Sequence, residues 1–110
     1  MMNIEEYMKT EITNKLISTP MKLLLIIGLL YEETQEWPGV SEIYTQINRN
    51  THVWYNWQDF FLQQGLIEIK ETKSAVGSTK KIVILTEKGR KIYELLKDCM
   101  DRLALIENEK

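Results

Sequence analysis

Apolar residues recur at intervals of three and four along most of the chain, which predicts a largely helical protein. One helix is predicted to begin at Thr19 and Pro20, because proline suits the first helical turn, and to run to about Tyr31. It is apolar on almost every side. Such a helix is typical of the centre of a core, and Gly28 within it predicts close approach by a neighbour. Before it, residues 3–17 are predicted to form an amphipathic helix with apolar positions at Ile4, Tyr7, Met8, Ile12, Leu16 and Ile17.

Two shorter helices are predicted after the polar loop 32–39. Ser41 is the expected cap of the first, which runs to about Ile47. Asn50 or Thr51 is the expected cap of the second, and Gly65 is its expected end. Two short helices joined by a turn of three or four residues form a helix-turn-helix, whose second helix reads DNA.

The second of these helices has two chemically distinct sides at 100° per residue. An arc of about 120° is apolar and predicted to be buried: it holds Val53, Trp54, Trp57, Phe60 and Phe61. The other side carries mostly uncharged hydrogen-bonding groups, on His52, Tyr55, Asn56, Asp59, Leu62 and Gln63. This division suits a helix that lies in a DNA major groove. The alternative is an ordinary amphipathic helix that packs on the core and does not contact DNA.

After Gly65 the apolar period changes from 3.6 to 2, which predicts two strands over residues 66–72 and 80–85. The segment between them is a predicted hairpin loop that includes Ser78 and Thr79. Lysines on or beside this hairpin favour contact with phosphates, since lysine acts as a point charge without a fixed geometry: they are Lys70, Lys73, Lys80 and Lys81. A merely solvated hairpin is the alternative.

Thr86 is the predicted cap of a last helix, with Glu87 in its positive first turn. Apolar residues then follow a heptad spacing at Ile92, Leu96, Cys99, Leu103 and Ile106. This spacing predicts a homodimer whose interface includes the stripe and Ile4, Tyr7 and Met8 of the first helix. The alternative is a helix that packs back onto its own domain.

Length and composition indicate one globular domain of 110 residues, with 44% hydrophobic and 27% charged residues. Its expected parts are an N-terminal helix (1–18), a helix-turn-helix with hairpin (19–86) and a dimerisation helix (87–110). The longest apolar run is too short for a bilayer crossing, and no signal peptide is apparent. With one cysteine and no metal-ligand or phosphate-loop motif, we expect a cytoplasmic protein that is not an enzyme and holds no metal or cofactor.

The net charge of −2 hides an uneven distribution. Residues 1–48 carry three basic and seven acidic side chains, and residues 92–110 carry three basic and five acidic ones. Residues 49–91 carry eight basic and four acidic side chains. The positive charge therefore lies in the segment that holds the reading helix and the hairpin, which favours nucleic acid as a partner.

Three segments carry a resemblance to the PadR and MarR groups of small prokaryotic DNA-binding regulators. They are Leu24 to Leu30, the spacing from Phe61 to Gly65-Leu66-Ile67, and Leu85-Thr86-Glu87-Lys88-Gly89-Arg90. The resemblance covers residues 19–97 and implies an α+β, mostly helical winged helix-turn-helix that dimerises through terminal helices. PadR-like proteins often place leucine and tyrosine where this chain has Trp54 and Tyr55.

The predicted function is sequence-specific binding of double-stranded DNA as a homodimer, by a transcriptional regulator, most simply a repressor, on the nucleoid. The expected DNA-contacting residues are Ser41, Arg49, Asn50, Thr51, His52, Tyr55, Asn56, Lys70, Lys73, Ser78, Thr79, Lys80 and Lys81. One alternative is a DNA-organising or plasmid-partition adaptor that spreads along DNA. Another is a winged helix that binds a second protein through the acidic terminal segments.

Overall fold

A computed structural model of the chain describes residues 15–47, 50–73 and 76–107. Its elements are α1 (Thr19–Thr34), α2 (Val40–Gln46), α3 (Thr51–Gln63), β1 (Ile67–Lys73), β2 (Thr79–Leu85) and α4 (Glu87–Glu107). Four helices and an antiparallel hairpin form a mostly helical α+β winged helix, which confirms the predicted fold class. Most of the predicted first helix, with Ile4, Tyr7 and Met8, lies outside the described residues, and the domain boundaries stay a prediction.

Helix α1 is the centre of the core. Every residue from Leu23 to Leu30 is buried, as the continuous apolar run predicts. Gly28 lies against the ring of Tyr93 in α4, so closely that a Cβ at position 28 would overlap the ring. The absence of a side chain therefore allows α4 to pack directly on α1, which confirms the close approach predicted at Gly28.

The caps of α2 and α3 only partly follow the prediction. Gly39, and not Ser41, is the N-cap of α2, and its carbonyl oxygen accepts from the backbone N–H groups of Glu42 and Ile43. The helix begins earlier than predicted because residues 38 and 39 are already fixed by bonds to β2. Helix α3 starts as predicted, with Asn50 Oδ1 accepting from the backbone N–H of Val53 at 3.3 Å.

Helix α3 ends at the predicted glycine. Gly65 has φ +69°, a left-handed conformation that favours glycine. The N–H of Gly65 donates to the carbonyl of Leu62 at 3.1 Å, and that of Leu66 donates to Phe61 at 2.9 Å. These two bonds form a Schellman motif, which closes the helix and directs the chain into β1.

The buried side of α3 is narrower than predicted. Trp54 and Phe61 are fully buried, and Val53 and Trp57 are partly buried against the same core. The prediction that Phe60 is buried was wrong, because its side chain is 44% exposed and contacts Trp57 edge-on at 5.8 Å. Phe60 lies about 100° around the helix from Phe61, at the margin of the apolar arc.

Strands β1 and β2 pair antiparallel, with Ile67 opposite Leu85 and Lys73 opposite Thr79. The other edge of β2 is held by the segment before α2, through a bridge between Gly39 and Ile82 and a 2.9 Å bond from Val83 N–H to the Pro38 carbonyl. The base of the hairpin is therefore fixed on both sides, to its own first strand and to the start of the helix-turn-helix.

The segment 85–90, which carries the resemblance to small regulators, forms the junction between the hairpin and α4. Thr86 caps α4 by accepting from Gly89 N–H at 3.0 Å, and its hydroxyl donates to the carbonyl of Gly65. The Lys88 ammonium donates to the carbonyl of Gln64 at 2.9 Å. The motif thus joins the end of α3 to the start of α4.

Arg90, the last residue of this segment, lies over two aromatic rings, that of Tyr31 in α1 and that of Trp37 in the loop after it. Its guanidinium carbon lies 5.2 Å from the centroid of the Trp37 ring, which stacks on Tyr31 with centroids 4.0 Å apart. Cation–π contact of this kind favours arginine over an aromatic face. The contact holds the loop between α1 and α2 against α4.

The apolar stripe predicted on α4 lies at the edge of the buried side of the helix, so only part of it is covered. Ile92, Leu96 and Leu103 pack against the protein's own core, together with buried Tyr93 and Met100. Cys99 is exposed, and Ile106 is 57% exposed. On the core side, Lys97 also pairs with Glu32 of α1 at 2.6 Å. The described helices include none with both the length and the apolar character that a bilayer crossing needs.

Candidate nucleic-acid interface

The exposed side of α3 is polar and almost uncharged. Opposite the buried Trp54 and Phe61, it presents the side chains of His52, Tyr55, Asn56, Asp59 and Gln63. These groups offer hydrogen-bond donors and acceptors of the kind that recognise base edges. Asp59 is the one carboxylate among these five side chains.

The N-terminal end of α3 holds further predicted site residues. Asn50 and Thr51 are exposed, and the Asn50 side-chain oxygen is engaged in the cap, which leaves its amide group as the donor for another partner. Arg49, the predicted basic residue at this end, lies outside the described residues. Ser41 is exposed in the first turn of α2, where its carbonyl oxygen accepts from the Thr45 hydroxyl.

Tyr55 of α3 meets Tyr44 of α2 edge-on, with ring centroids 6.1 Å apart. Tyr55 is 56% exposed, whereas Tyr44 is partly buried behind it. Burial, and then the neighbouring Tyr55, raise the pKa of Tyr44 from the ordinary 10.0 to about 12. The Tyr44 hydroxyl is therefore protonated at neutral pH, and its ring supports one side of Tyr55.

The four hairpin lysines are exposed but lie on two faces of the sheet. Side chains alternate along each strand, and residues opposite each other in the register share a face. Lys70 is opposite Ile82, and Lys80 is opposite Thr72, so these two lysines lie on the face away from Val83. Lys81 is opposite Glu71 and shares the other face with Lys73, which is opposite Thr79. Ser78 is exposed just before β2.

Lys80 has a partner that the sequence did not indicate. Its ammonium lies 2.8 Å from Glu42 Oε1, and both side chains are about half exposed. The side chain passes over Gly39, where a Cβ would overlap Lys80 Cε. Lys70, Lys73 and Lys81 form no ion pair within the part of the chain that the structure describes. Glu42 was missed because it is 38 residues from Lys80 in sequence and follows no local pattern.

No group of three or more histidine, cysteine or acidic side chains is arranged to hold a metal ion within residues 15–47, 50–73 and 76–107.

The comparison with solved structures identifies a similar fold. A crystal structure of a mutant MepR from a multidrug-resistant S. aureus clinical isolate matches 97% of this chain and 78% of its own chain, with a TM-score of 0.61 and 20% sequence identity. MepR is a winged-helix regulator of the MarR family. No family model matches the chain. No curated protein matches it. The likeness therefore supports the winged-helix fold and does not distinguish a PadR-like from a MarR-like subtype.

Proposed function

We propose that the chain binds double-stranded DNA sequence-specifically as a homodimer and regulates transcription, most simply as a repressor on nucleoid DNA in the cytoplasm. The observation that carries the proposal is the position of α3. Its aromatic side is buried at Trp54 and Phe61, so its polar side is held outward beside a hairpin that carries four lysines. The winged-helix fold that the chain shares with the regulator MepR supports the same function.

In this proposal α3 enters the major groove, with His52, Tyr55 and Asn56 near base edges. Asparagine pairs with adenine through two hydrogen bonds, and the methyl group of Thr51 can contact that of thymine, so we expect a preference for A·T pairs. Residues around the helix contact phosphates and fix its position: they are Ser41, Arg49, Asn50, Lys70, Lys73, Ser78, Thr79, Lys80 and Lys81.

The proposed dimer interface includes the exposed side of α4. Leu95 is 72% exposed and Leu105 is 71% exposed, and Cys99 and Ile106 lie beside them on the outer side of the helix. A helix side with exposed apolar residues at four positions is a candidate surface for a protein partner. A second copy related by a twofold axis would also place two α3 helices on half-sites about one helical turn apart, or a multiple of it.

A footprinting experiment on duplex DNA tests this function. We expect a fixed protected site, with weaker binding to mixed-sequence duplex of the same length. A protected region that lengthens with protein concentration would favour the DNA-organising adaptor over the regulator. Absence of binding to every duplex at low salt would contradict the proposal.

Absence of binding to every duplex would favour a protein as the partner. Phe60 and Leu62 of α3 are 44% and 39% exposed and would suit a protein surface. Phe60→Ala would then weaken capture of the protein partner.

A further inference from the structure

We propose that Glu42 competes with DNA phosphates for Lys80 and thereby limits the affinity of the hairpin for DNA. This inference depends on the proposed function. It rests on the ion pair between α2 and β2 and on the different surroundings of the neighbouring lysines.

The ion pair is fixed by the backbone around it. The bridge between Gly39 and Ile82 sets β2 beside the start of α2, and Gly39 leaves room for the Lys80 side chain to pass. The ammonium then reaches Glu42 Oε1 at 2.8 Å. Glu42 lies in the first turn of its helix, where the helix dipole stabilises a negative charge.

The pair neutralises one of the four hairpin lysines that are proposed to contact phosphates. Both side chains remain about half exposed, so water reaches the pair and an incoming phosphate can replace the carboxylate. Each lysine that neutralises a phosphate releases a counterion, which strengthens binding at low salt. A lysine that must first leave a carboxylate contributes less to this gain than a lysine without an ion-pair partner.

Lys70 provides the matched comparison on the same face of the hairpin. It lies in β1 opposite Ile82, and it forms no ion pair within the described residues. We therefore expect Lys70→Ala to weaken binding to mixed-sequence duplex more than Lys80→Ala does. An equal or larger effect of Lys80→Ala would overturn the inference.

The decisive experiment measures duplex binding by Glu42→Gln as a function of salt. Removing the carboxylate partner of Lys80 should tighten binding by about 1.4-fold to 5-fold, the range of an exposed ion pair. It should also steepen the slope of log K against log salt by at most about 0.9, the value for one complete phosphate contact, because Lys80 of the wild type divides between Glu42 and phosphate. Circular dichroism checks that the variants are folded.

A control separates this effect from the general loss of a negative charge. Glu71→Gln removes the same charge from the hairpin, at a position opposite Lys81 in the register. In a Lys80→Ala background, the gain from Glu42→Gln should fall to that from Glu71→Gln. An equal gain from both variants in the wild-type background would overturn the inference. So would weaker binding by Glu42→Gln, which would show that the pair positions the hairpin for DNA. If the wild-type protein and every variant fail to bind duplex, the proposed function itself is wrong and this inference fails with it.

Discussion

Gly89 of α4 lies against the backbone of Leu66, so closely that a Cβ at position 89 would overlap the Leu66 carbonyl oxygen. That oxygen also accepts from the backbone N–H of Thr86 at 3.1 Å, which fixes its position. The contact explains why a glycine occupies the first turn of a long helix, where alanine would ordinarily be more stable.

Gly89→Ala should therefore lower the free energy of unfolding by about 1–3 kcal/mol, the usual cost of an added methyl group in a packed site. Urea denaturation measures the change. Lys91→Ala, at an exposed position two residues further along the helix, is the control and should change stability by less than about 0.5 kcal/mol. Stabilisation by Gly89→Ala would contradict the close contact.

Asn50→Ala should destabilise the fold by about 1 kcal/mol, because the first turn of α3 loses its side-chain cap. Asn50→Asp should retain most of the stability, since aspartate also accepts from the backbone N–H of Val53. Denaturation in the absence of DNA separates this effect from any contact with a ligand. Equal losses in the two variants would show that the cap contributes nothing.

The stability of the protein should fall as the pH rises from about 10 to 12. The folded pKa of Tyr44 is about 12 and its ordinary value is 10.0, so the unfolded chain loses this proton first. The contribution of protonated Tyr44 to the free energy of unfolding is complete below pH 10 and is lost as the pH rises through 12. Urea denaturation of wild type and Tyr44→Phe at pH 9 and pH 11 measures it. The wild type should lose more stability between these pH values than the variant, and parallel losses would contradict the assignment.

Asn56→Ala and Lys73→Ala should affect DNA binding differently. Removing the proposed base contact of Asn56 should cost about 1–3 kcal/mol at the specific site and little on mixed-sequence duplex. Lys73→Ala should weaken binding to both alike and reduce the salt slope by about 0.9. Anisotropy titrations with both duplexes at several salt concentrations measure the two effects. If Asn56→Ala lost the same affinity for the specific and the mixed-sequence duplex, Asn56 would not contribute to sequence recognition.

Leu95→Asp should shift the proposed dimer towards monomers of 13.0 kDa, because it places a charge on the exposed apolar side of α4. Sedimentation equilibrium at micromolar concentration measures the shift. Val76→Asp is the control, since Val76 is 89% exposed on the hairpin, away from α4. A wild-type protein that sediments only as a monomer would exclude this interface.

The elements that depend on local chemistry could be predicted from the sequence. The Asn50 cap and the left-handed Gly65 each follow from one residue type in its context, and the period of two predicted the hairpin. The cap of α2 was misplaced because the bridge between Gly39 and β2, which joins distant parts of the chain, starts that helix early. The exposure of Phe60 and the partial burial of the α4 stripe depend on the angle at which each helix meets the core. Periodicity alone does not determine that angle.

The bond from the Thr86 hydroxyl to the Gly65 carbonyl has a geometric consequence for the proposed binding of DNA. It joins the end of α3 to the start of α4, so we expect the two helices to move together. In a dimer built on α4, the distance between the two reading helices would then be nearly constant. Such a protein would discriminate operators by the spacing of their half-sites as well as by their bases.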